Sequence, residues 1–466
     1  MRFHAVCGLM LSGCPPRQRE SLRGAFEIIY KSPTFAEGGS FEMPVTRLNE
    51  LDALRGLMLV LMTLTHLPTR LSSPLGQPFG YVSAAEGFVL LSAYMAGLVY
   101  GRTAQQKGID AMAGAFWRRA FRVYACHLAI LLFLFTVIAA VGLKVHQDAV
   151  KNLMSFYLDQ PGAAFLTGAA LLYKPPLLDI LPMYVLFMLA SPWLMGYGVW
   201  RGWRGVMGLS VGLWVLAQFG LGQWVYDWTI GAAGGRLPFN ETGAFGVFAW
   251  QFLWVMGLWM GASRSEDDAA PFLFPRWVVA LSLAIAGLAF AWRHGVGQVP
   301  FAYGLTANIL FDKWQLGPMR MINLFALTVL VIRFAPLLVS LRPRWPFLET
   351  LGSASLPVFA THLVIVLMTL ALWGDSPQAR PWWGDALLLA ACFALLHIAA
   401  LATLWVDRQS ARLLEQQAKR RSSKKALRKL TGGVTGAEAA VLRFEAPQRL
   451  SDAGGTGKTA PSFAPK

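Results

Sequence analysis

Charged side chains are scarce in this sequence. Only 14% of its 466 residues are Asp, Glu, Lys or Arg, whereas 55% are hydrophobic. Because about a quarter of the residues in a soluble domain are charged, this composition excludes an ordinary soluble globular protein. The mean hydropathy of +0.47 indicates a polytopic membrane protein instead. The 18 Trp and 30 Phe residues fit that class, since aromatic rings suit both the lipid interface and close helix packing.

Cysteine is also rare, and the chain has four such residues: Cys7, Cys14, Cys126 and Cys392. Their separations match no metal-binding motif and imply no disulfide framework. Cys126 and Cys392 lie in apolar segments and are predicted to be packing residues. The sequence therefore predicts no metal site and no bound cofactor.

Acidic residues are fewer than basic ones, 25 against 41, so the formal net charge is +16. Part of this excess lies in RQSARLLEQQAKRRSSKKALRK, which directly follows the last hydrophobic segment. Such a cluster indicates a cytoplasmic segment that touches anionic lipid. Nucleic-acid binding is the alternative interpretation. No folded basic module accompanies the cluster, so no nucleic-acid partner is predicted.

The chain divides into three parts by composition. Residues 1–42 differ from the rest, and Met43 begins MPVTRLNELDALRG, a natural opening for the protein. We interpret 1–42 as a leader or mis-called start and expect it to be disordered. Residues 43–408 form the predicted transmembrane domain. Residues 409–466 form a predicted cytoplasmic tail, which is basic at first and then rich in Gly, Ala, Ser and Pro, a composition typical of disorder.

Ten apolar segments are each close to the roughly 20 residues that a bilayer requires. They lie near 51–67, 82–100, 121–142, 180–200, 205–221, 244–262, 276–293, 320–340, 351–372 and 384–405. The basic residues that flank these segments lie before the first span or in every second connection between spans. They are Arg47, Arg102, Lys107, Arg118, Arg119, Arg122, Arg201, Arg204, Arg264, Arg276, Arg342 and Arg344. All of these face the cytoplasm if both termini are cytoplasmic, which agrees with the positive-inside rule.

This pattern predicts an all-α fold, a polytopic transmembrane helical bundle of about ten spans with both termini in the cytoplasm. One apolar stretch does not fit the alternation. Residues 162–173 are too short to span comfortably, and counting them would move the basic RGWR to the outer side. We therefore interpret them as a re-entrant or interfacial helix.

The first span, LDALRGLMLVLMTLTHLPTR, contains an unusual set of polar residues. Arg55 and His66 are eleven positions apart, which is three helical turns, so both side chains point the same way. Asp52 lies one turn before Arg55 and is expected to pair with it. Ionisable residues inside a span indicate a functional site, because their exposure to lipid is costly. The alternative is an interfacial charge pair with an interfacial histidine, and spacing alone does not separate the two.

Glu86 begins the second span at the same predicted outer level as His66. A carboxylate beside an imidazole fixes its tautomer and raises its basicity, as a general base for a hydroxyl group requires. We expect Glu86 to act on His66 in this way, although a residue that marks the water boundary is the alternative. Small residues in the same span permit close helix contact: Ser92, Ala93, Ala96 and Gly97.

Further candidates follow along the chain. Arg118, Arg119 and Arg122, at the predicted cytoplasmic face, make a guanidinium cluster able to bind phosphates bidentately. An ordinary topology anchor is the simpler alternative for them. Other polar residues suited to substrate or donor binding lie on the predicted outer side or, for the last one, midway along the ninth span: Asp179, Tyr184, Asp312, Lys313, Arg320 and His362.

The same residues carry a resemblance to known enzymes. The spacing of Arg55 and His66 resembles the signature of the membrane-bound acyltransferase 3 superfamily. The ordered segments LDALRG…THLP, AAEGFVLLSAYMAGLVYGR, WRRAFRVYACHL, DILPMY, WQFLWVMGLWMG and FDKWQLGPMR are similar to the OpgC family, from about Arg47 to Arg408. That family is named for succinyl transfer onto osmoregulated periplasmic glucans.

The resemblance implies an enzyme of the bacterial inner membrane. It would move an acyl group, succinyl, from a cytoplasmic acyl-CoA to a hydroxyl group of a periplasmic glucan. His66 would be the catalytic base and Arg55 a donor-positioning or structural residue, while Glu86 and the Arg119 and Arg122 pair match motif positions. The implied partners are acyl-CoA, the glucan and the lipid bilayer, with glucan-synthesis proteins as further candidates. One departure is Ala93, which stands where the family pattern has glycine.

Two other classes of protein are alternatives. A secondary transporter of a polar solute would also have about ten helices, and Asp52, Arg55 and His66 would then form a proton relay. No two related halves are visible in the sequence, and the arginine cluster has no evident place in that scheme. A non-catalytic membrane scaffold would leave the expected pairing of His66 with Glu86 unexplained.

Overall fold

The computed structural model describes residues 49–431 apart from 233–236, 266–271, 303, 342–343 and 376–379. Within this part of the chain the protein is helical and has no strand, which confirms the all-α prediction. The predicted leader 1–42, the end of the tail beyond 431, and the flanking residues Arg47 and Arg342 lie outside the described residues.

The helices that build the bundle are labelled α1 to α11 in chain order. They are α1 (Asn49–His66), α2 (Ala84–Lys107), α3 (Ile109–Phe133), α4 (Ile180–Arg201), α5 (Trp203–Gln218), α6 (Val247–Ala262), α7 (Arg276–Val296), α8 (Pro318–Leu341), α9 (Pro346–Ser353), α10 (Ser355–Trp373) and α11 (Trp382–Thr431). Helix α3 continues through a π-helical turn, Leu134–Ile138, into Ala139–Lys144. Short helical segments lie between these helices: Ser72–Leu75, Asp148–Leu153, Ser155–Asp159, Pro161–Ala169, Leu221–Tyr226, Asp227–Gly231, Phe239–Thr242 and Thr306–Phe311.

Eight helices among the described residues are long and apolar enough to cross a membrane. A ninth is added if Trp203–Gln218 and Leu221–Gly231, which meet at 89°, are taken as one broken span. Helix α1 is 18 residues long but contains Glu50, Asp52 and Arg55, so its composition does not place it in this set. The multi-pass membrane protein is therefore confirmed, whereas the count of ten depends on how α1 and the bent pair are treated.

The segment expected to be re-entrant or interfacial forms a helix of nine residues, Pro161–Ala169. That length is too short to span a bilayer. Its carboxyl end packs on α3, where Tyr124 donates a hydrogen bond to the carbonyl of Ala169 and His127 Nε2 lies 3.1 Å from that of Gly168. His127 is thus a buried core residue with a structural partner.

Helices α2 and α6 approach each other closely along their small residues. A Cβ atom on Gly97 would collide with the carbonyl oxygen of Leu258, and one on Gly261 would collide with that of Tyr94. The expected role of the small residues of α2 is confirmed. Ala93, which departs from the family pattern, is accommodated because its Cβ faces Gly257.

Helix α1 is packed in the same way against the short helix α9. A Cβ on Gly56 would meet the carbonyl of Leu348, and one on Gly352 would meet the carbonyl of Asp52. The ninth predicted span therefore begins later than expected, because the chain breaks at Ala354 between α9 and α10. This break lets α9 lie on α1 while α10 continues as the spanning helix.

The last helix extends without interruption from Trp382 to Thr431. The boundary expected at residue 408 falls inside it, so the first part of the basic tail continues the last span as helix. In this extension Glu415 and Lys419, one helical turn apart, form a salt bridge.

Candidate active site

Two histidines meet in the interior of the bundle. His66, at the end of α1, places its Nδ1 atom 3.1 Å from Nε2 of His362 on α10. The two rings are stacked, with centroids 5.4 Å apart and planes 15° from parallel. His362 is buried, and its own Nδ1 atom lies 2.6 Å from the carbonyl oxygen of Phe359. A line of three groups therefore runs from a backbone carbonyl through one imidazole to a second.

This line determines the tautomer of each ring. A carbonyl oxygen can only accept a hydrogen bond, so Nδ1 of His362 carries a hydrogen and donates a hydrogen bond to the carbonyl oxygen of Phe359. Among the described residues His362 has no acidic partner, and burial favours its neutral form. Its Nε2 atom is then an acceptor, and Nδ1 of His66 donates to it. The lone pair of His66 therefore lies on Nε2.

Nε2 of His66 is available for chemistry. The side chain of His66 is half-buried, and within the described part of the chain its hydrogen bond is the one to His362. A neutral imidazole with a fixed tautomer and an open Nε2 lone pair is the arrangement that a general base requires. The role of catalytic base that the resemblance implies for His66 stays a prediction, and this geometry leaves the required atom free for it.

The expected pairing of Glu86 with His66 is wrong. Glu86 accepts hydrogen bonds from Nε and Nη2 of Arg320, with Nε at 3.1 Å, and from the backbone and side chain of Ser83. Glu86 and Arg320 are both about 1% exposed. The guanidinium donates twice to one carboxylate oxygen of Glu86, and the capping box with Ser83 occupies the other and holds Glu86 at the start of α2. The role expected of Glu86, fixing the tautomer of His66, belongs to His362.

Arg55 lies further along the polar face of α1. Its Nη1 atom is 3.6 Å from Oδ1 of the buried Asp52, which confirms the expected pair one turn apart. Its Nη2 atom donates to the hydroxyl of Ser355 on α10. Helices α1 and α10 are therefore joined twice by polar side chains, through Arg55 with Ser355 and through His66 with His362.

A narrow cavity lies between this polar seam and Arg119 of α3. Its volume is about 20 Å³, which is enough for a single water molecule. It is lined by Arg55, Phe88, Ser92, Arg119, Val123, Ile180, Leu181, Tyr184, Ser355, Leu356 and Phe359. Phe359, whose carbonyl orients His362, is one of these lining residues, whereas neither histidine lines the cavity itself.

The three arginines of α3 do not form one cluster. Arg118 and Arg122 are exposed, whereas Arg119 is half-buried and lines the narrow cavity. Residues 118 and 122 are one turn apart and share a face, while 119 is turned towards the core. The expected guanidinium cluster thus divides into one inward and two outward side chains.

Asp179 and Tyr184 also separate. Tyr184 lies in the narrow cavity and packs edge-on against Trp254, with ring centroids 4.9 Å apart. Asp179 lies just before α4, buried beneath the loop that contains Ala244, whose backbone donates to its carboxylate at 3.3 Å. Burial raises the pKa of Asp179 to about 6. Lys174 and Lys313 lie close enough for their charges to act on this carboxylate.

A second, larger cleft opens beside the end of α1. Its volume is about 600 Å³, and it contains Asp312, Lys313 and Arg320 of the predicted site residues. The cleft reaches Thr65, the residue before His66, and the charge of Lys313 acts on both His66 and Glu86. Burial lowers the pKa of Lys313 from its ordinary value. The cleft therefore lies beside the end of α1 that carries His66.

A comparison with protein families now identifies the chain. The model of the family described as OpgC protein matches residues 47–408, which is most of the chain and all of α1 to α10. The chain belongs to the OpgC family. No curated protein and no solved structure matches it significantly. Membership of the OpgC family supports an acyltransferase that acts on glucans, and the apolar helices make it a membrane enzyme.

Several residues of the site were missed by the sequence analysis. Ser355 lies seven positions before His362, which is two helical turns, so a search for polar pairs at that spacing would have found it. Lys174 is buried beside Asp179, and burial lowers its pKa. Its position directly before two prolines in a loop gave no signal, because its partner is reached only by folding.

A polar cluster around the buried Asp385, just after the end of α1, was also missed. Arg70 donates to Asp385 from its backbone at 3.1 Å and from Nη1 at 3.4 Å. Arg380 donates to the other oxygen of Asp385 at 3.3 Å and to the carbonyl of Pro68. This cluster ties the loop that follows His66 to the start of α11 and so helps to hold His66 in place.

Proposed function

We propose that this OpgC-family protein is an O-acyltransferase of the bacterial inner membrane. It transfers an acyl group, succinyl, from a cytoplasmic acyl-CoA to a hydroxyl group of a periplasmic glucan. Both termini then face the cytoplasm and the end of the bundle with His66 faces the periplasm. The observation that carries the proposal is the histidine pair, in which His362 leaves the Nε2 lone pair of His66 open beside the wide cleft.

The proposed reaction uses that geometry. Nε2 of His66 takes the proton of a glucosyl hydroxyl as its oxygen attacks the thioester carbonyl carbon. A C–O bond forms, the C–S bond breaks, and the thiol sulfur leaves with the proton returned by His66. The imidazolium that forms transiently remains bound through Nδ1 to Nε2 of His362, which is a neutral acceptor. The products are the glucan ester and free CoA.

The donor would approach from the opposite side. Arg118 and Arg122 are exposed one turn apart and suit the phosphates of CoA, while Arg119 points into the narrow cavity. The pantetheine arm would follow that cavity past Arg55 and Tyr184 towards His66. Because the cavity has room for only one water molecule, its side chains must move apart when the donor binds.

Transfer by the purified protein tests the proposal. The full chain in lipid nanodiscs would be supplied with succinyl-CoA and a periplasmic glucan, with free thiol and glucan mass as the two measurements. We expect His66→Ala to abolish both thiol release and ester formation while the protein remains folded. His146→Asn is the matched control, because His146 is exposed and in a left-handed turn that Asn tolerates.

Two results would contradict the proposal. Full transfer activity in His66→Ala would remove the assigned base. Movement of a polar solute across the membrane without thioester cleavage would favour the transporter that the sequence left open.

A further inference from the structure

The wide cleft beside His66 has a rigid wall with an exposed indole that the proposed chemistry does not use. We infer that this cleft binds a short oligosaccharide segment of the acceptor, with Trp314 as the surface on which a sugar ring packs. This inference rests on the proposed function, because it assigns the place where the acceptor glucan of that reaction is held.

The size and chemistry of the cleft suit a carbohydrate. About 600 Å³ lies within the range of ordinary small-molecule sites. Its lining mixes hydroxyl, amide and charged groups with apolar surface: Thr65, Ser72, Ser73, Gly76, Gln77, Gln298, Val299, Pro300, Asn308, Ile309, Phe311, Asp312, Lys313, Trp314 and Arg320. A sugar presents hydroxyl groups at its rim and C–H groups on its faces, so both kinds of surface are used.

The wall that carries Trp314 is held in place by other helices. The carbonyl of Trp314 accepts from the backbone of Gly246 at 2.9 Å and from the indole of Trp250 at 3.0 Å. The next two carbonyls are also bound, that of Gln315 by Gln218 of α5 and that of Leu316 by Trp214 of α5. The backbone N–H of Trp314 donates to Asp312 at 2.7 Å. Binding a ligand on this wall therefore orders little that is not already ordered.

The Trp314 side chain is nevertheless open. It is 41% exposed, although Phe245 packs edge-on against its ring at 5.3 Å. Lys313 places its ammonium over the ring, 4.7 Å from the centroid, so a sugar would pack on the part of the indole that Lys313 and Phe245 leave exposed. The alternative is that Trp314 only anchors the protein at the membrane–water interface. In that case its replacement would have no effect on acceptor binding.

The position of the cleft connects it to the reaction. Its lining includes Thr65, which precedes His66 in α1, and Arg320, which is held by the buried Glu86. A glucan segment on Trp314 would thus be held by a rigid wall while a neighbouring hydroxyl reaches Nε2 of His66. Lys313 would bind a hydroxyl of the same segment.

Kinetics with separate acceptor and donor titrations test this assignment. We expect Trp314→Ala to raise the acceptor KM about tenfold while the KM for acyl-CoA stays within twofold. Trp314→Phe should restore most of the acceptor affinity, because an aromatic surface remains. Trp277→Ala is the matched control, since Trp277 is 69% exposed but lies at the start of α7 and lines neither cavity.

A measurement of sugar binding tests the role of the cleft independently of acyl transfer. Cellotriose would be titrated calorimetrically into the wild-type, Trp314→Ala and Trp277→Ala proteins in nanodiscs, with sorbitol as an acyclic polyol that lacks the flat face of a sugar ring. Binding of cellotriose that is lost only in Trp314→Ala supports the cleft even if no acyl transfer is found. Unchanged cellotriose binding and acceptor KM in Trp314→Ala would overturn the inference while leaving the proposed function standing.

Discussion

His362 determines what His66 can do, because the carbonyl of Phe359 leaves only one tautomer to each ring. Glu86, which is nearer along the chain, was the residue expected from the sequence to fix this tautomer. Glu86 instead neutralises Arg320 in a pair that is almost fully buried. Removing one member of such a pair leaves a buried charge without a partner, so Glu86 contributes to the stability of the fold around the site.

The tautomer assignment makes a prediction for His362. His362→Phe keeps a ring of similar size but removes the acceptor for Nδ1 of His66, so both tautomers become populated. We expect kcat to fall about a hundredfold with little change in either KM, a loss typical of a misplaced general base. Steady-state kinetics of purified protein would measure it.

His397→Phe is the control for that change, since His397 lies on α11 and its ring packs on Phe347. His362→Asn offers an amide oxygen as a substitute acceptor and should recover part of kcat. Equal activity of the Phe and Asn variants would show that the hydrogen bond to His66 has no role.

The raised pKa of Asp179 predicts how the stability of the folded protein changes with pH. Its pKa is raised by burial to about 6, above the value of about 3.9 in an unfolded chain. Between these values the folded protein binds more protons than the unfolded one, so stability falls as pH rises through this window. Asp179→Asn removes this dependence and keeps an oxygen for the backbone N–H of Ala244. The variant should gain up to about 3 kcal/mol relative to wild type between pH 4 and pH 7.5.

Thermal unfolding midpoints of both proteins at the two pH values would test that expectation. A constant difference between Asp179→Asn and wild type across this range would mean that Asp179 titrates normally.

The packing of α1 on α9 is the element that sets the position of Asp52 and Arg55. Gly352 contacts the backbone of α1 directly, since a Cβ there would collide with the carbonyl of Asp52. Small residues at such contacts let backbones approach each other, which supplies much of the packing energy between helices in a membrane. The short α9 therefore acts as a support for the polar face of α1.

Gly352→Ala should displace α1 and lower both the unfolding midpoint and the transfer activity. Gly212→Ala is the matched control, because Gly212 lies within α5 and a Cβ there meets nothing within 4 Å. The control should be neutral or slightly stabilising, as alanine favours helix over glycine. An unchanged unfolding midpoint and activity in Gly352→Ala would mean that α1 and α9 can move apart without loss of stability or function.

The helices also differ in how much of their surface is buried within the bundle. The most apolar windows of α7 and α11 are only 11% and 17% buried, whereas that of α2 is 67% buried. Helices α7 and α11 therefore present their surfaces to lipid, while α2 lies in the interior beside α6 and the histidine pair. Function is concentrated where helices are enclosed by others, since charges there avoid contact with lipid.

The orientation of the whole molecule gives a prediction of its own. If both termini are cytoplasmic, the end of α2 faces the cytoplasm and the segment after Lys144 faces the periplasm. In a chain without its native cysteines, Asp148→Cys should react with a membrane-impermeant maleimide in intact cells, and Lys107→Cys should react only after lysis. Both positions are exposed, so accessibility within the protein does not limit either reaction. The reverse labelling pattern would invert the proposed direction of transfer.

Much of this protein was predictable from composition and periodicity. Hydropathy is a local property that adds along the chain, so the membrane class, the all-α fold and most span positions follow from the sequence alone. The polar face of α1 and the pair of Asp52 with Arg55 also follow, because helical geometry relates residues one to three turns apart.

Only the tertiary structure decided which polar groups meet across helices. His66 and His362 are 296 residues apart, and Glu86 and Arg320 are separated by 234. Arg119 turns into the cavity while Arg118 and Arg122 face outward, and Trp314 becomes part of the wall of a cleft. Such partners depend on how helices pack and which faces they bury, and a pattern read along one helix does not contain the position of its neighbours.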